Sequence, residues 1–216
     1  RRGRLLGGGL AALGALAVGR PLRAAAAAKA PFRLGLQSYS LRGYKEGGKS
    51  SAEKALKVSR DLGVHYWEGY PGHIPMTEDA AALDASKALL KQADVELVGY
   101  GVIHFQKGSP ENRKAFEFAK AMGVEYLSAD PDPDSFDELD KLVEEYGIGV
   151  GIHNHGPGHR YDLIDVVAKA IKDHSPLIGC CIDTGHFLRS REDPVRAAEV
   201  FGKRGFGVHL KDVKDS

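Results

Sequence analysis

Three segments of the chain end in the same kind of chemistry. Gly149-Val150-Gly151-Ile152-His153-Asn154-His155, Cys180-Cys181-Ile182-Asp183-Thr184-Gly185-His186 and Phe206-Gly207-Val208-His209-Leu210-Lys211-Asp212 each pass from small or apolar residues into imidazoles, joined by a carboxylate in the second and third. An isolated Asp-x-x-His carries little information, because an Asp after a strand is commonly a helix cap and a His commonly a packing residue. Recurrence at three strand-like ends is more informative. Imidazole nitrogens and carboxylate oxygens from neighbouring strands suit a divalent ion such as Zn, Mn or Co, with a position left for water or substrate. The two cysteines, Cys180 and Cys181, are adjacent in an apolar run and lack the spacing of a zinc ribbon.

Other residues belong with this group by position. Glu68 lies in His65-Tyr66-Trp67-Glu68-Gly69-Tyr70, an acid inside an aromatic strand end that needs a partner. His104 closes Val95 to Phe105 and could equally pack at the rim. His155 could orient His153, and Lys211 and Asp212 could pair with one another. His65, His73, His159 and His174 read as turn, surface or half-buried residues and receive no role.

The elements that would position these groups alternate steadily between strand and helix, which favours βα units around a parallel sheet. Strand-like segments are expected at 32–39, 65–70, 95–105, 124–128, 148–153, 177–182 and 207–210, with 129–134 as a stiff turn. Helix-like segments are expected at 51–62, 79–92, 111–122, 136–146, 161–172 and 194–201. About seven strands and six helices in one domain predict a (β/α)8 barrel that stops after its seventh strand. At the C-terminal ends of parallel barrel strands, residues distant in sequence converge on one face. A flavodoxin-like open sheet is the architectural alternative, but no glycine-rich phosphate loop supports it.

The chain has 216 residues, a formal net charge of +1 and 27% charged residues, with Lys and Arg scattered among acids. That balance argues against a nucleic-acid partner. Residues 1–30 carry Arg1-Arg2, an Ala/Leu/Gly run and small residues at 24–28, resembling a twin-arginine leader with an Ala-x-Ala cleavage site. The expectation is export to the bacterial periplasm, with no stable membrane span after cleavage and residues 31–216 forming the barrel. Homo-oligomerisation is left open.

The stretches LGLQSYSLR (34 to 42), YWEGYPGH (66 to 73), GIHNHGP (151 to 157), CIDTGHF (181 to 187) and GVHLKDV (207 to 213) resemble the sugar phosphate isomerase/epimerase family of xylose isomerase-like TIM barrels, related to endonuclease IV. The resemblance implies a metal held by a Glu, an Asp, a His and a second Glu on the fifth to eighth strands. Asp183 and His209 fall on the second and third of these positions, and His153 takes the place of the first Glu; the second Glu would lie beyond Ser216. His186 falls where relatives place a substrate contact. The assignment is therefore His153, Asp183 and His209 to a divalent ion (Mn, Co, Zn or Mg), Glu68 and His186 to catalysis, and His104, His155, Lys211 and Asp212 to a carbohydrate substrate. The reaction implied is isomerisation or epimerisation of a sugar, polyol or keto-sugar by proton transfer beside a carbonyl. His153 puts a symmetric two-carboxylate shuttle in question, so a keto-sugar lyase or dehydratase, an endonuclease IV-like phosphodiesterase and a non-catalytic carbohydrate-binding barrel stand as alternatives.

Overall fold

The computed structural model describes residues 32–214. The expected leader, residues 1–30, lies outside the described residues. Nine strands occur among the described residues, in chain order: β1 Gly35–Gln37, β2 Lys45–Glu46, β3 Lys49–Ser50, β4 Tyr66–Gly69, β5 Glu96–Phe105, β6 Tyr126–Pro131, β7 Gly149–His153, β8 Ile178–Asp183 and β9 Gly205–His209. Seven helices accompany them: α1 Ala52–Asp61, α2 Ala80–Gln92, α3 Pro110–Met122, α4 Phe136–Tyr146, α5 Ile164–Ile171, α6 Thr184–Arg189 and α7 Pro194–Phe201. The main sheet has seven strands in the order β1-β4-β5-β6-β7-β8-β9. Every pairing in it is parallel, so the expected (β/α) barrel is the observed architecture, with seven of its strands among the described residues. The hairpin of β2 and β3 sits outside the sheet and was not anticipated.

Local chemistry sets most boundaries. Ser51, Asp79, Ser109 and Asp193 each accept a backbone N–H from the first turn of α1, α2, α3 and α7, the usual repair for orphaned donors at a helix start. The first strand is shorter than its apolar pattern predicts: the Gln37 side chain accepts the Tyr39 N–H at 2.6 Å, and the chain turns into a 3-10 helix at Ser38–Leu41. The segment expected as a stiff turn instead extends β6, since Ala129, Asp130 and Pro131 pair with Ile103, His104 and Phe105. Pro131 has no N–H to give, but its carbonyl accepts the Tyr161 hydroxyl at 2.7 Å, which holds residue 161 outside the helix expected to begin there.

Alternation along each strand separates two environments. On β4, Trp67 is fully buried and donates its indole N–H to Ser59 Oγ of α1 at 2.9 Å, while Glu68 turns the other way to meet side chains of β6 and β9. Tyr126 fills part of the barrel interior. A Cβ on Gly99 would lie 2.6 Å from its ring and one on Gly207 2.5 Å from its hydroxyl, so the adjacent β5 and the more distant β9 both need glycine where this tyrosine crosses the interior. Backbones approach even more closely at Gly179, where a Cβ would stand 2.0 Å from the Arg204 carbonyl oxygen. Arg204 cannot withdraw easily, because its guanidinium is tied to the carbonyls of Ile171, His174, Ser175 and Ile178. Gly179→Ala is expected to cost about 1–3 kcal/mol by overpacking, measured as a lowered urea midpoint with an unchanged slope.

Candidate metal centre

His153 ends β7, Asp183 ends β8 and His209 ends β9, and the parallel register pairs Asp183 directly with His209. Their facing atoms converge: His153 Nε2 lies 3.1 Å from His209 Nδ1 and 3.5 Å from Asp183 Oδ2, and Asp183 Oδ2 lies 3.7 Å from His209 Nδ1. Tetrahedral ligands at the bond lengths of zinc would be about 3.4 Å apart. The triangle therefore fits a small divalent ion without rearrangement of the backbone. His186 Nε2 stands 3.8 Å from the same carboxylate oxygen, at the edge of this group.

Asp183 is completely buried and divides its two oxygens between tasks. Oδ1 accepts the His186 N–H at 3.0 Å and caps α6, a helix the apolar pattern did not announce. The cap reading of an Asp after a strand is thus realised through Oδ1, while Oδ2 faces the convergent imidazoles. Oδ2 accepts no well-aligned hydrogen bond, although Lys211 Nζ approaches it to 2.5 Å as an ion pair. Asn154 clamps the Asp183 backbone from both sides, accepting its N–H at 2.7 Å and donating to its carbonyl at 3.1 Å. Burial would raise the Asp183 carboxyl, but His209, Lys211 and the His186 N–H outweigh it and hold the group well below the usual carboxylate range.

The imidazoles are tuned in opposite directions. Burial, followed by the proximity of His209 and His155, pushes His153 down to about 3, so it is neutral and able to offer a lone pair. Burial pushes His209 down as well, yet Cys181, Asp183 and Glu68 around the ring outweigh it and raise it to about 12. Burial also lowers His155, and takes His186 down to about 4. Arg189 donates to His186 Nδ1, and since a guanidinium only donates, the proton of neutral His186 sits on Nε2. His186 thereby faces the centre with a donor nitrogen, next to the Asp183 carboxylate.

The remaining expected site residues divide. His155 joins the group, its ring centre 4.8 Å from that of His153 and 5.4 Å from that of His186. Lys211 joins through Asp183. Glu68 lies behind His209, accepting from its Nε2 at 2.8 Å and from the Tyr126 hydroxyl at 2.7 Å. Despite burial, these two donors bring its carboxyl below the ordinary value, His209 being the stronger. His104 belongs elsewhere: its Nδ1 is 2.8 Å from the Asp130 carbonyl oxygen and its Nε2 3.5 Å from Asp132, which pairs with Arg160. Asp212 accepts the N–H of Val213 at 2.8 Å and lies exposed, with no ion pair to the convergent group among the described residues. Asn154 and Arg189 are structural partners that sequence reading passed over; the Asn between two histidines was the available signal for the first.

A parallel (β/α) barrel gathers residues from distant parts of the sequence at its C-terminal strand ends, where the sites of barrel enzymes lie. Residues 56–216 match the family described as xylose isomerase-like TIM barrel, and the chain belongs to it. Inosose dehydratase of Clostridium beijerinckii (strain ATCC 51743 / NCIMB 8052) is 34% identical over 83 residues, covering 38% of this chain and 27% of that relative, so the match spans about a quarter of its length. Among solved structures, an uncharacterised protein from Parabacteroides distasonis ATCC 8503 superposes with a TM-score of 0.67 at 26% identity, covering 85% of this chain and 76% of that one. The IOLI protein, solved with a bound zinc atom, superposes with a TM-score of 0.65 at 17% identity over 78% of this chain and 70% of its own. Family membership supports an enzyme and a small-molecule substrate. No helix among the described residues is long and apolar enough to cross a membrane.

Proposed function

We propose that this protein is a divalent-metal-dependent enzyme that moves a proton at the carbon beside a carbonyl of a keto-sugar or keto-polyol. The convergence of His153 Nε2, Asp183 Oδ2 and His209 Nδ1 within 3.1–3.7 Å carries this reading. A divalent ion there would polarise the substrate's carbonyl and hydroxyl oxygens. His155 and His186, both held neutral by burial, border the centre as groups able to bind substrate oxygens and carry protons. His186 would donate from Nε2, with Arg189 holding its tautomer, and Lys211 would meet a substrate oxygen beside Asp183.

In an isomerase or epimerase, the proton removed from carbon returns to the adjacent atom or to the opposite face. Loss of water is a second reading, and His153 in place of a carboxylate favours it. With Glu68 occupied by His209 and Tyr126, the donors leave no opposed carboxylate pair among the described residues. A neutral donor such as His186 could pass its proton to a departing hydroxyl as the carbon–oxygen bond breaks. The stretch of identity with an inosose dehydratase supports the same reading. Incubating the natural full-length protein with Zn, Mn or Co and a panel of keto-sugars and inososes in deuterium oxide tests both. Deuterium at the carbon beside the carbonyl in an isomeric product is the expected result for epimerisation, and a product lighter by one water for dehydration. A panel that shows no exchange and no water loss would defeat the proposal. We further propose that residues 1–30 direct export to the periplasm; an unprocessed, cytoplasmic chain in fractionated cells would refute this.

A further inference from the structure

The Glu68 carboxylate is deeply buried, yet it does not face the convergent donors. It lies on the far edge of the His209 ring, 141 residues away in sequence, where Oε2 accepts the Nε2 proton at 2.8 Å. The Tyr126 hydroxyl holds the same oxygen at 2.7 Å, in the space left by Gly99 and Gly207. An imidazole has two nitrogens, and a carboxylate accepting from one leaves the other to bind a metal. With Nε2 committed to Glu68, His209 turns Nδ1 toward His153 and Asp183. We propose that Glu68 is a positioning residue that fixes the orientation and tautomer of His209 for metal binding. The proposal rests on the metal centre assigned above and replaces the expected catalytic role of Glu68.

A rival arrangement is present in the same pocket. Glu68, Cys181 and His209 also come close enough to hold an ion, with Cys181 Sγ 3.5 Å from His209 Nε2 and 3.8 Å from Glu68 Oε2. There Glu68 would itself be a ligand. Two facts weigh against it: Tyr126 already donates to the required oxygen, and a thiolate would have to form in direct contact with a carboxylate. The rival also leaves Asp183 Oδ2 without an aligned partner.

The two arrangements differ in what Cys181 does. Zn2+ affinity of the full chain, read by competition with a chromophoric chelator, is expected to fall about 10–100-fold in Glu68→Gln, because an amide can present either donor or acceptor to Nε2. Cys181→Ala is expected to stay within about threefold of the parent, since a thiol is only a weak donor here. Long-range nitrogen–proton NMR spectra of the Zn2+-bound parent should show His209 protonated at Nε2 and bound through Nδ1, a readout that does not require any variant to fold. Undiminished Zn2+ affinity in Glu68→Gln, with Asp183→Asn impaired, would overturn the positioning role and leave the metal centre standing. An equal loss in Cys181→Ala, or a thiolate-to-metal band on Co2+ loading, would overturn it in favour of the rival. If the parent itself binds no Zn2+, Co2+ or Mn2+, the metal reading and this proposal fail together.

Discussion

Asp183→Asn is expected to fold and to bind Zn2+ at least about 100-fold more weakly than the parent. An apparent zinc binding free energy of roughly 10–16 kcal/mol shared among about four ligands assigns each of them about 3 kcal/mol, which is about two powers of ten in affinity. Asparagine keeps the side-chain volume and an oxygen for the His186 N–H, so the cap of α6 survives. What is lost is the charge at Oδ2, the oxygen to which His153, His186, His209 and Lys211 are all directed. Metal content after dialysis and a calorimetric titration measure the effect, and catalytic turnover should fall with metal occupancy. A Asp183→Asn protein that retains one equivalent of zinc at parental affinity would show that the centre lies elsewhere. Asp183→Ala makes a less clean test, since it also removes the cap, typically worth about 1 kcal/mol.

Trp67→Ala is expected to destabilise the protein by about 3–5 kcal/mol, the usual cost of removing a large aromatic from a packed interior. Trp67 is fully buried, lies 6.0 Å from the ring of His73, and donates to Ser59 Oγ, which in turn donates to the Val64 carbonyl at 2.8 Å. It therefore ties β4 to α1 from the outer face of the strand while Glu68 works on the inner one. Urea unfolding measures the loss directly. Trp67→Phe keeps most of the apolar contact and leaves the Ser59 to Val64 bond intact, so its cost should be nearer 1 kcal/mol. A cost below 1 kcal/mol for Trp67→Ala would mean that this face of β4 is not a packed contact. Because Trp67 and Glu68 are consecutive and the register with β5 shifts between them, loosening the first is also expected to weaken zinc binding modestly through the second.

Much of the barrel was legible from local patterns. The helices at Phe136–Tyr146 and Pro194–Phe201 have the expected bounds, because apolar spacing and the start and stop residues agree there. Misses came where a distant partner decided the outcome. The 129–134 segment carries turn chemistry, yet pairing with β5 draws its first half into the sheet. Residues 161–163 follow a helical pattern, yet the Tyr161 hydroxyl is spent on Pro131. Helix α6 was hidden because its six residues are too few to show a period.

The same division runs through the site. The residue types and their places at strand ends are written in the sequence, and with them the expectation that His153, Asp183 and His209 share a metal. Which edge of each ring faces which neighbour is decided by tertiary structure alone, since register shifts at Trp67/Glu68 and Cys180/Cys181 rotate those strands locally. His104 also closes a strand, and of its two sequence readings the structure realises the rim one, its nitrogens meeting Asp130 and Asp132. For Glu68 the sequence shows only that the acid needs a partner, and space decides that the partner is His209 of β9. A period-two pattern tells which residues share a face of one strand, whereas the aim of a side chain depends on the curvature of the whole sheet and on the partners that curvature brings within reach.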